Sequence, residues 1–143
     1  MVPIETDGGF WLVLGLMVLL FPLPVLLGVV LAALVHELGH ILAVLVTGGR
    51  VLSIRLRAWG ARIETAPMGP GRAALCALAG PGAGALTILA WRQFPELALA
   101  GLVQTAFNLL PVYPLDGGRV VRELLGCAFV CAGTCKKGRD RIQ

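Results

Sequence analysis

One long apolar run constrains the fold of this chain more than any other feature. The run extends from Val25 to about Thr47 as one predicted helix, in which only His36, Glu37 and His40 can ionise. About 20 apolar residues are enough for a helix to cross a bilayer. Because 57% of the whole chain is hydrophobic and only 14% is charged, the sequence excludes an ordinary soluble domain and predicts a membrane protein.

Three further apolar segments predict that this run is one of four membrane-spanning helices. The predicted spans cover residues 10–21, 25–47, 73–91 and 97–110. Prolines separate the first two spans and interrupt the end of the fourth, because proline breaks the helical hydrogen-bond pattern. A final helix is expected over about 120–132. The chain is therefore expected to form a single domain of residues 1–143, an all-α polytopic membrane protein.

Between the second and third predicted spans the sequence pattern changes from helical to alternating. Leu52, Ile54 and Leu56 alternate with polar residues, and the alternation resumes before Glu64. This period is typical of strands with one apolar face. The pattern predicts a small β-hairpin within residues 51–64 at the membrane surface. Such a hairpin either offers an edge on which a substrate segment adds a strand or only connects two helices.

The basic residues are distributed very unevenly along the chain. Of the 12 Lys and Arg residues, 11 lie within 50–72 and 119–141. Because basic residues concentrate in cytoplasmic loops, both termini and the hairpin are predicted to be cytoplasmic in a multi-pass protein of the cell membrane. Basic residues that flank helices in this way do not indicate a nucleic-acid partner. Glu5 and Asp7 precede the first apolar run without a basic residue, so we do not expect a secretory signal peptide.

The string VHELGH in the second predicted span carries the strongest chemical signal. Ionisable residues inside a membrane helix are costly and usually functional. His36 and His40 lie four residues apart, so both imidazoles lie on one helix face and can bind one zinc ion. Glu37 lies close enough to polarise a zinc-bound water. Small residues surround the histidines on this face and would let neighbouring helices approach closely.

A third protein ligand for zinc has to come from another part of the chain, and Asp116 is the strongest candidate. It follows the proline-broken end of the fourth predicted span, in NLLPVYPLDGGR. Irregular backbone at membrane depth is tolerated where it lines a water-filled cavity, as a metal site requires. Two alternatives remain open: Asp116 caps the helix that follows it, or Glu123 is the ligand.

Two other groups of polar residues carry weaker signals. Gln104 and Asn108 share one face of the fourth predicted span, where they contact either the substrate or a neighbouring helix. Cys127, Cys131 and Cys135 align on one face of the predicted final helix. Burial or lipidation explains these cysteines better than a second metal site.

Three motifs and their order along the chain resemble the catalytic core of the site-2 proteases, a family of intramembrane zinc metalloproteases. They are HELGH at 36–40, Ala-Gly-Pro at 79–81, and Asn108, Pro111, Leu115, Asp116 and Gly117 at the end of the fourth span. The resemblance is strongest to the compact bacterial form that includes the sporulation protease acting on a pro-sigma factor. The chain departs from the family at Gly84, where an Asn is often found.

The resemblance implies that His36, His40 and Asp116 bind one Zn²⁺ ion and that Glu37 is the general base. The implied activity is zinc-dependent cleavage of membrane-embedded or membrane-associated proteins, of a regulatory anti-sigma or pro-sigma type. No PDZ or nucleotide-binding domain is expected in a chain of this length, and the sequence does not predict the oligomeric state. The alternative function is a non-proteolytic membrane scaffold. A metal transporter ranks last, because the chain has only 2 His.

Overall fold

The computed structural model describes residues 3–58 and 60–125 of the chain. This part is mostly helical and carries one small sheet. The elements in chain order are β1 (Ile4–Thr6), α1 (Gly8–Leu20), α2 (Leu23–Val46), β2 (Val51–Arg57), β3 (Gly60–Thr65), α3 (Pro70–Leu86), a 3₁₀ turn (Thr87–Ala90) and α4 (Pro95–Asn108). A further helix, α5, begins at residue 116 and is described as far as residue 125.

Polar caps, prolines and a glycine set the ends of the helices. A carboxylate oxygen of Asp7 accepts a hydrogen bond from the Phe10 N–H at 2.8 Å and so caps the start of α1. The helices α2, α3 and α4 each carry a proline in the first turn, where its missing N–H costs nothing. Past the end of α2, Gly48 has a φ of 73°, which favours glycine.

Two helical segments are long and apolar enough to cross a membrane, namely Leu23–Val46 and Pro70–Ala90. The second segment joins α3 to the 3₁₀ turn that follows it. The helices α1 and α4 contain 13 and 14 residues, so each rises only about 20 Å, against a hydrocarbon thickness of about 30 Å. Membrane crossing by all four predicted spans therefore stays a prediction.

Close contacts at glycine residues bring α2, α3 and α4 together. Gly28 of α2 lies directly against the backbone of Glu96 and Leu97 in α4, and Gly39 lies against Ala79 in α3. A side chain at either glycine would overlap these atoms. The opposite face of α2 carries the large side chains, which are exposed: Leu27, Leu31, Leu34, Leu38, Leu42 and Leu45. Most of the large side chains of α2 therefore lie on the face away from α3 and α4.

The predicted hairpin is part of a larger sheet. The strands lie in the order β1-β2-β3, with β2 and β3 antiparallel and β1 parallel to β2. The prediction of a two-stranded hairpin is wrong in this respect, because it omitted β1. A strand of three residues is too short to show an alternating pattern, and its partner β2 lies about 50 residues away, with Ile4 opposite Ile54. The pairing places the N-terminal strand and the hairpin on the same side of the molecule.

The last described helix begins earlier than predicted. Its first residue is Asp116 and not a residue near 120. The glycines that follow make this possible: Gly117 lies against the backbone of Leu109 and Leu110, and Gly118 against that of Val112. Without side chains at these positions, the first turn of α5 packs directly on the loop that leaves α4. Cys127, Cys131 and Cys135 and the predicted helix end at 132 lie outside the described residues.

Candidate active site

The side chains of His36, His40 and Asp116 converge on one point between α2 and the start of α5. The Nε2 atoms of the two histidines lie 3.2 Å apart. Each of these nitrogens lies 3.1 Å from Oδ2 of Asp116. His36 and Asp116 are only 2% and 5% exposed. Three atoms that are good metal ligands therefore form a nearly equilateral triangle in a buried position.

Two elements distant in sequence position these ligand atoms. Four residues make about one helical turn, so α2 presents His36 and His40 from one face, with their ring planes at 83° to each other. The loop after α4 turns the chain back and brings Asp116 to the histidines. The guanidinium of Arg119, one turn further along α5, lies 3.7 Å from Oδ1 of Asp116. Arg119 thus contacts one carboxylate oxygen while the histidines contact the other.

The geometry and the hydrogen bonding of the cluster both fit a zinc ion. Ligand atoms about 2.0–2.1 Å from a tetrahedral zinc lie about 3.3 Å from one another, close to the 3.1–3.2 Å found here. The Nδ1–H of His40 donates to the carbonyl oxygen of Cys76 at 2.8 Å. In the neutral ring, Nε2 then directs a lone pair toward Asp116. Lone pairs this close repel one another unless a proton or a metal ion lies between them, and three converging ligand atoms at these distances could hold a metal.

The helix α3 fixes His40 through two features that the sequence analysis did not assign to the site. Gly80 lies against the His40 ring so closely that a Cβ on this residue would overlap the ring. Cys76 supplies the backbone carbonyl that accepts the hydrogen bond from His40. Ala-Gly-Pro, one of the three motifs that resemble the site-2 proteases, contains this glycine, but the sequence did not predict its contact with His40. A backbone acceptor has no sequence signal.

The cluster opens into a cavity of about 1000 Å³. Glu37, Gln104 and Asn108 line this cavity together with the three candidate ligands, and the whole of β3 forms part of its wall. The amide nitrogen of Asn108 donates to the backbone oxygen of Gln104 at 3.1 Å. The structure thus brings every residue of the predicted site into one cavity.

The alternative ligand Glu123 also lines the cavity but is not part of the cluster. Its carboxylate accepts a hydrogen bond from Arg122 at 3.3 Å. The position of Asp116 at the first residue of α5 agrees with both of its predicted roles, since a residue can begin a helix and direct its side chain at a metal. Distance favours Asp116 over Glu123 as the third ligand.

Comparison with known proteins gives one curated relative. No family model matches the chain. A protein of Synechocystis sp. carries the name "Putative zinc metalloprotease sll0528". It is 34% identical to this chain, and the match covers 71% of the length of this chain. The match covers 33% of the Synechocystis protein, so the chain spans about a third of the length of this relative.

Among solved structures, the Site-2 Protease from Methanocaldococcus jannaschii has the same fold. The two structures superpose with a TM-score of 0.71, over 87% of this chain and 67% of the archaeal chain. Their sequences are 24% identical. The chain therefore has the fold of a site-2 protease, and its curated relative carries the name of a zinc metalloprotease.

Proposed function

We propose that this chain is a zinc-dependent intramembrane endopeptidase that cleaves membrane-embedded or membrane-associated proteins. One observation carries the proposal: Nε2 of His36, Nε2 of His40 and Oδ2 of Asp116 lie 3.1–3.2 Å apart, in a cavity that Glu37 also lines. Two imidazoles and a carboxylate are a donor set that zinc hydrolases use. The metalloprotease relative supports the same activity.

The proposed mechanism assigns one role to each group of residues. His36, His40 and Asp116 would hold the zinc ion, which when bound polarises a carbonyl group and makes water more acidic. A carboxylate oxygen of Glu37 accepts a proton from the attacking water and delivers it to the leaving amide nitrogen. His36 and Asp116 are buried, and burial strengthens these electrostatic interactions.

The wall of the cavity supports binding of the substrate as an extended strand. In the order β1-β2-β3, the outer edge of β3 has no partner strand within the described residues. An edge strand presents unpaired N–H and C=O groups that can pair with another chain. A substrate helix that unwinds along β3 would place its backbone in the cavity of the catalytic cluster. Gln104 and Asn108 line the same cavity and are proposed to contact this backbone.

We also propose that all four apolar helices lie in the cell membrane, with both termini in the cytoplasm. None of the residues of α1 is buried, and Trp11, Leu12 and Leu19 are largely exposed, which is favourable in lipid and costly in water. The pairing of β1 with β2 supports a common side for the N-terminus and the hairpin. The concentration of 11 of the 12 basic residues in 50–72 and 119–141 supports the cytoplasm as that side.

Cysteine labelling in intact cells tests this topology. Gly69→Cys is expected to react with a membrane-permeant maleimide but not with an impermeant one, because residue 69 follows the sheet on the proposed cytoplasmic side. Gly69 has open space around it, so the substitution does not disturb the fold. The matched control is Arg92→Cys in the turn on the opposite side, which the impermeant reagent should label. Both variants are made with the four native cysteines replaced by serine. External labelling at residue 69 would contradict the topology.

Metal removal tests the enzymatic activity itself. The purified chain in detergent is expected to contain one equivalent of zinc and to cleave members of a peptide library derived from single-span membrane proteins. A chelator should abolish cleavage, and zinc should restore it, because the metal activates both the water and the carbonyl. Mass spectrometry of the products and elemental analysis provide the two measurements. Zinc binding without any cleavage would favour the scaffold over the protease.

A further inference from the structure

The two histidines of the cluster differ in the hydrogen bonding of their second ring nitrogen. Nδ1 of His40 donates to the Cys76 carbonyl at 2.8 Å. Nδ1 of His36 is buried and has no hydrogen-bond partner in the part of the chain that the structure describes. A histidine that binds a metal almost always donates its other ring N–H to an acceptor, which fixes the tautomer and the orientation of the ring. As a metal ligand, His36 is therefore expected to have a hydrogen-bond acceptor close to its Nδ1–H.

Three helices meet beside this unpaired nitrogen. A Cβ placed on Gly84 of α3 would lie 3.6 Å from Nδ1 of His36 and 2.6 Å from Oγ1 of Thr105 on α4. The hydroxyl of Thr105 and Nδ1 of His36 thus both lie close to Gly84, where α3 carries no side chain. Gly84 is also the position at which the chain departs from the family that it resembles. A side chain at residue 84 would overlap the Thr105 hydroxyl.

We propose that Thr105 is a positioning residue for the metal site: in the zinc-bound chain its hydroxyl oxygen accepts a hydrogen bond from Nδ1–H of His36, directly or through one water. Thr105 is 7% exposed, and its hydroxyl donates to the Pro81 carbonyl at 3.2 Å. Since the hydroxyl hydrogen is engaged there, the oxygen keeps its lone pairs for an incoming N–H. The inference rests on the proposed function, because it requires His36 to bind zinc through Nε2.

The fold supplies a matched control in Thr87. This residue is also 7% exposed, and its hydroxyl also donates to a carbonyl of α3, that of Gly84 at 2.7 Å. Thr87 packs against Gly101. None of its atoms is among the three nearest to the Cβ position of Gly84, beside which Nδ1 of His36 lies. Replacement of either threonine by valine removes one buried hydroxyl and one hydrogen bond to α3. Only the replacement of Thr105 removes the proposed acceptor.

The test is the zinc affinity of the purified full chain, measured by competition with a chelator. Thr105→Val is expected to weaken zinc binding about 10-fold to 100-fold, the usual effect of losing a hydrogen bond to a metal ligand. Thr87→Val and Thr105→Ser are expected to bind zinc as the wild-type chain does. The visible absorption of the Co²⁺-substituted protein, which reports ligand geometry, should change in Thr105→Val alone.

The outcomes separate this inference from the proposed function. Equal zinc affinities and equal Co²⁺ spectra for Thr105→Val and Thr87→Val would overturn the role of Thr105 and leave the zinc site intact. Absence of zinc binding in the wild-type chain, or unchanged binding in His36→Ala, would overturn the proposed function and this inference with it. If Thr105→Val does not fold, Thr105→Ala and Thr105→Ser provide the same comparison, because this pair differs only in the hydroxyl.

Discussion

Glu37→Gln is expected to reduce peptide hydrolysis by about two to four orders of magnitude and to leave the zinc content unchanged. The amide has nearly the shape of the carboxylate but cannot accept a proton from water or deliver one to the leaving nitrogen. Glu37 is not part of the cluster of His36, His40 and Asp116, so its replacement leaves all three candidate ligands in place. The measurement is the rate of product formation together with elemental analysis of the same sample.

Glu123→Gln is the control for this experiment, because Glu123 also lines the cavity but its carboxylate is paired with Arg122. Its zinc content and hydrolysis are expected to match those of the wild-type chain. If the loss were due to a change in the overall charge of the cavity, both variants would lose activity. Normal turnover by Glu37→Gln would contradict the assignment of Glu37 as general base.

The parts of the fold that depend on local sequence could be predicted. The helix α2 is long and uniformly apolar, and the spacing of His36 and His40 by one turn determines that both lie on one face. Leu52, Ile54 and Leu56 alternate with polar residues, so two of the strands were also apparent. In each case the signal lies within a few consecutive residues, where the periodicity of the backbone determines which side chains share a face.

The features that the sequence did not reveal depend on contacts between distant segments. The strand β1 exists because Ile4–Thr6 pairs with β2, and nothing in three residues indicates such a partner. The hydrogen bond from His40 to the Cys76 carbonyl joins α2 to the backbone of α3, and a backbone acceptor is the same in every residue. The early start of α5 depends on how closely Gly117 approaches the loop before it. These features follow from packing.

The packing of small residues connects the fold to the site. Gly39 of α2 allows α3 to approach, and Gly80 of α3 then lies directly against the His40 ring. The motif Ala-Gly-Pro at 79–81 therefore shapes the candidate metal site, and none of its residues is among the candidate ligands. In a membrane, where helices gain little from hydrophobic association, such close contacts supply much of the attraction between helices. The same glycines that stabilise the bundle thus determine where the histidines lie.

Asp116→Ala is expected to weaken zinc binding by roughly two orders of magnitude and to abolish hydrolysis. Binding free energies of about 10–16 kcal/mol for four-ligand zinc sites correspond to about 3 kcal/mol for each ligand, or roughly 100-fold in affinity. The structure gives a specific reason for a loss of this size, because Oδ2 of Asp116 lies 3.1 Å from both imidazole nitrogens and completes the triangle of donors. Chelator competition on the purified chain measures the affinity, and the library assay measures the hydrolysis.

Zinc affinity distinguishes this variant from Glu37→Gln, which should lose activity and keep the metal. Glu64→Ala is the control for removal of a carboxylate that lines the cavity, because Glu64 accepts a hydrogen bond from Ser53 at 2.9 Å and lies outside the ligand cluster. Its zinc affinity should be unchanged. If Asp116→Ala bound zinc as tightly as the wild-type chain, the third ligand would be another residue, and Glu123 would be the first to examine. A loss of zinc affinity in the Glu123→Ala chain, with Asp116 intact, would then identify Glu123 as that ligand.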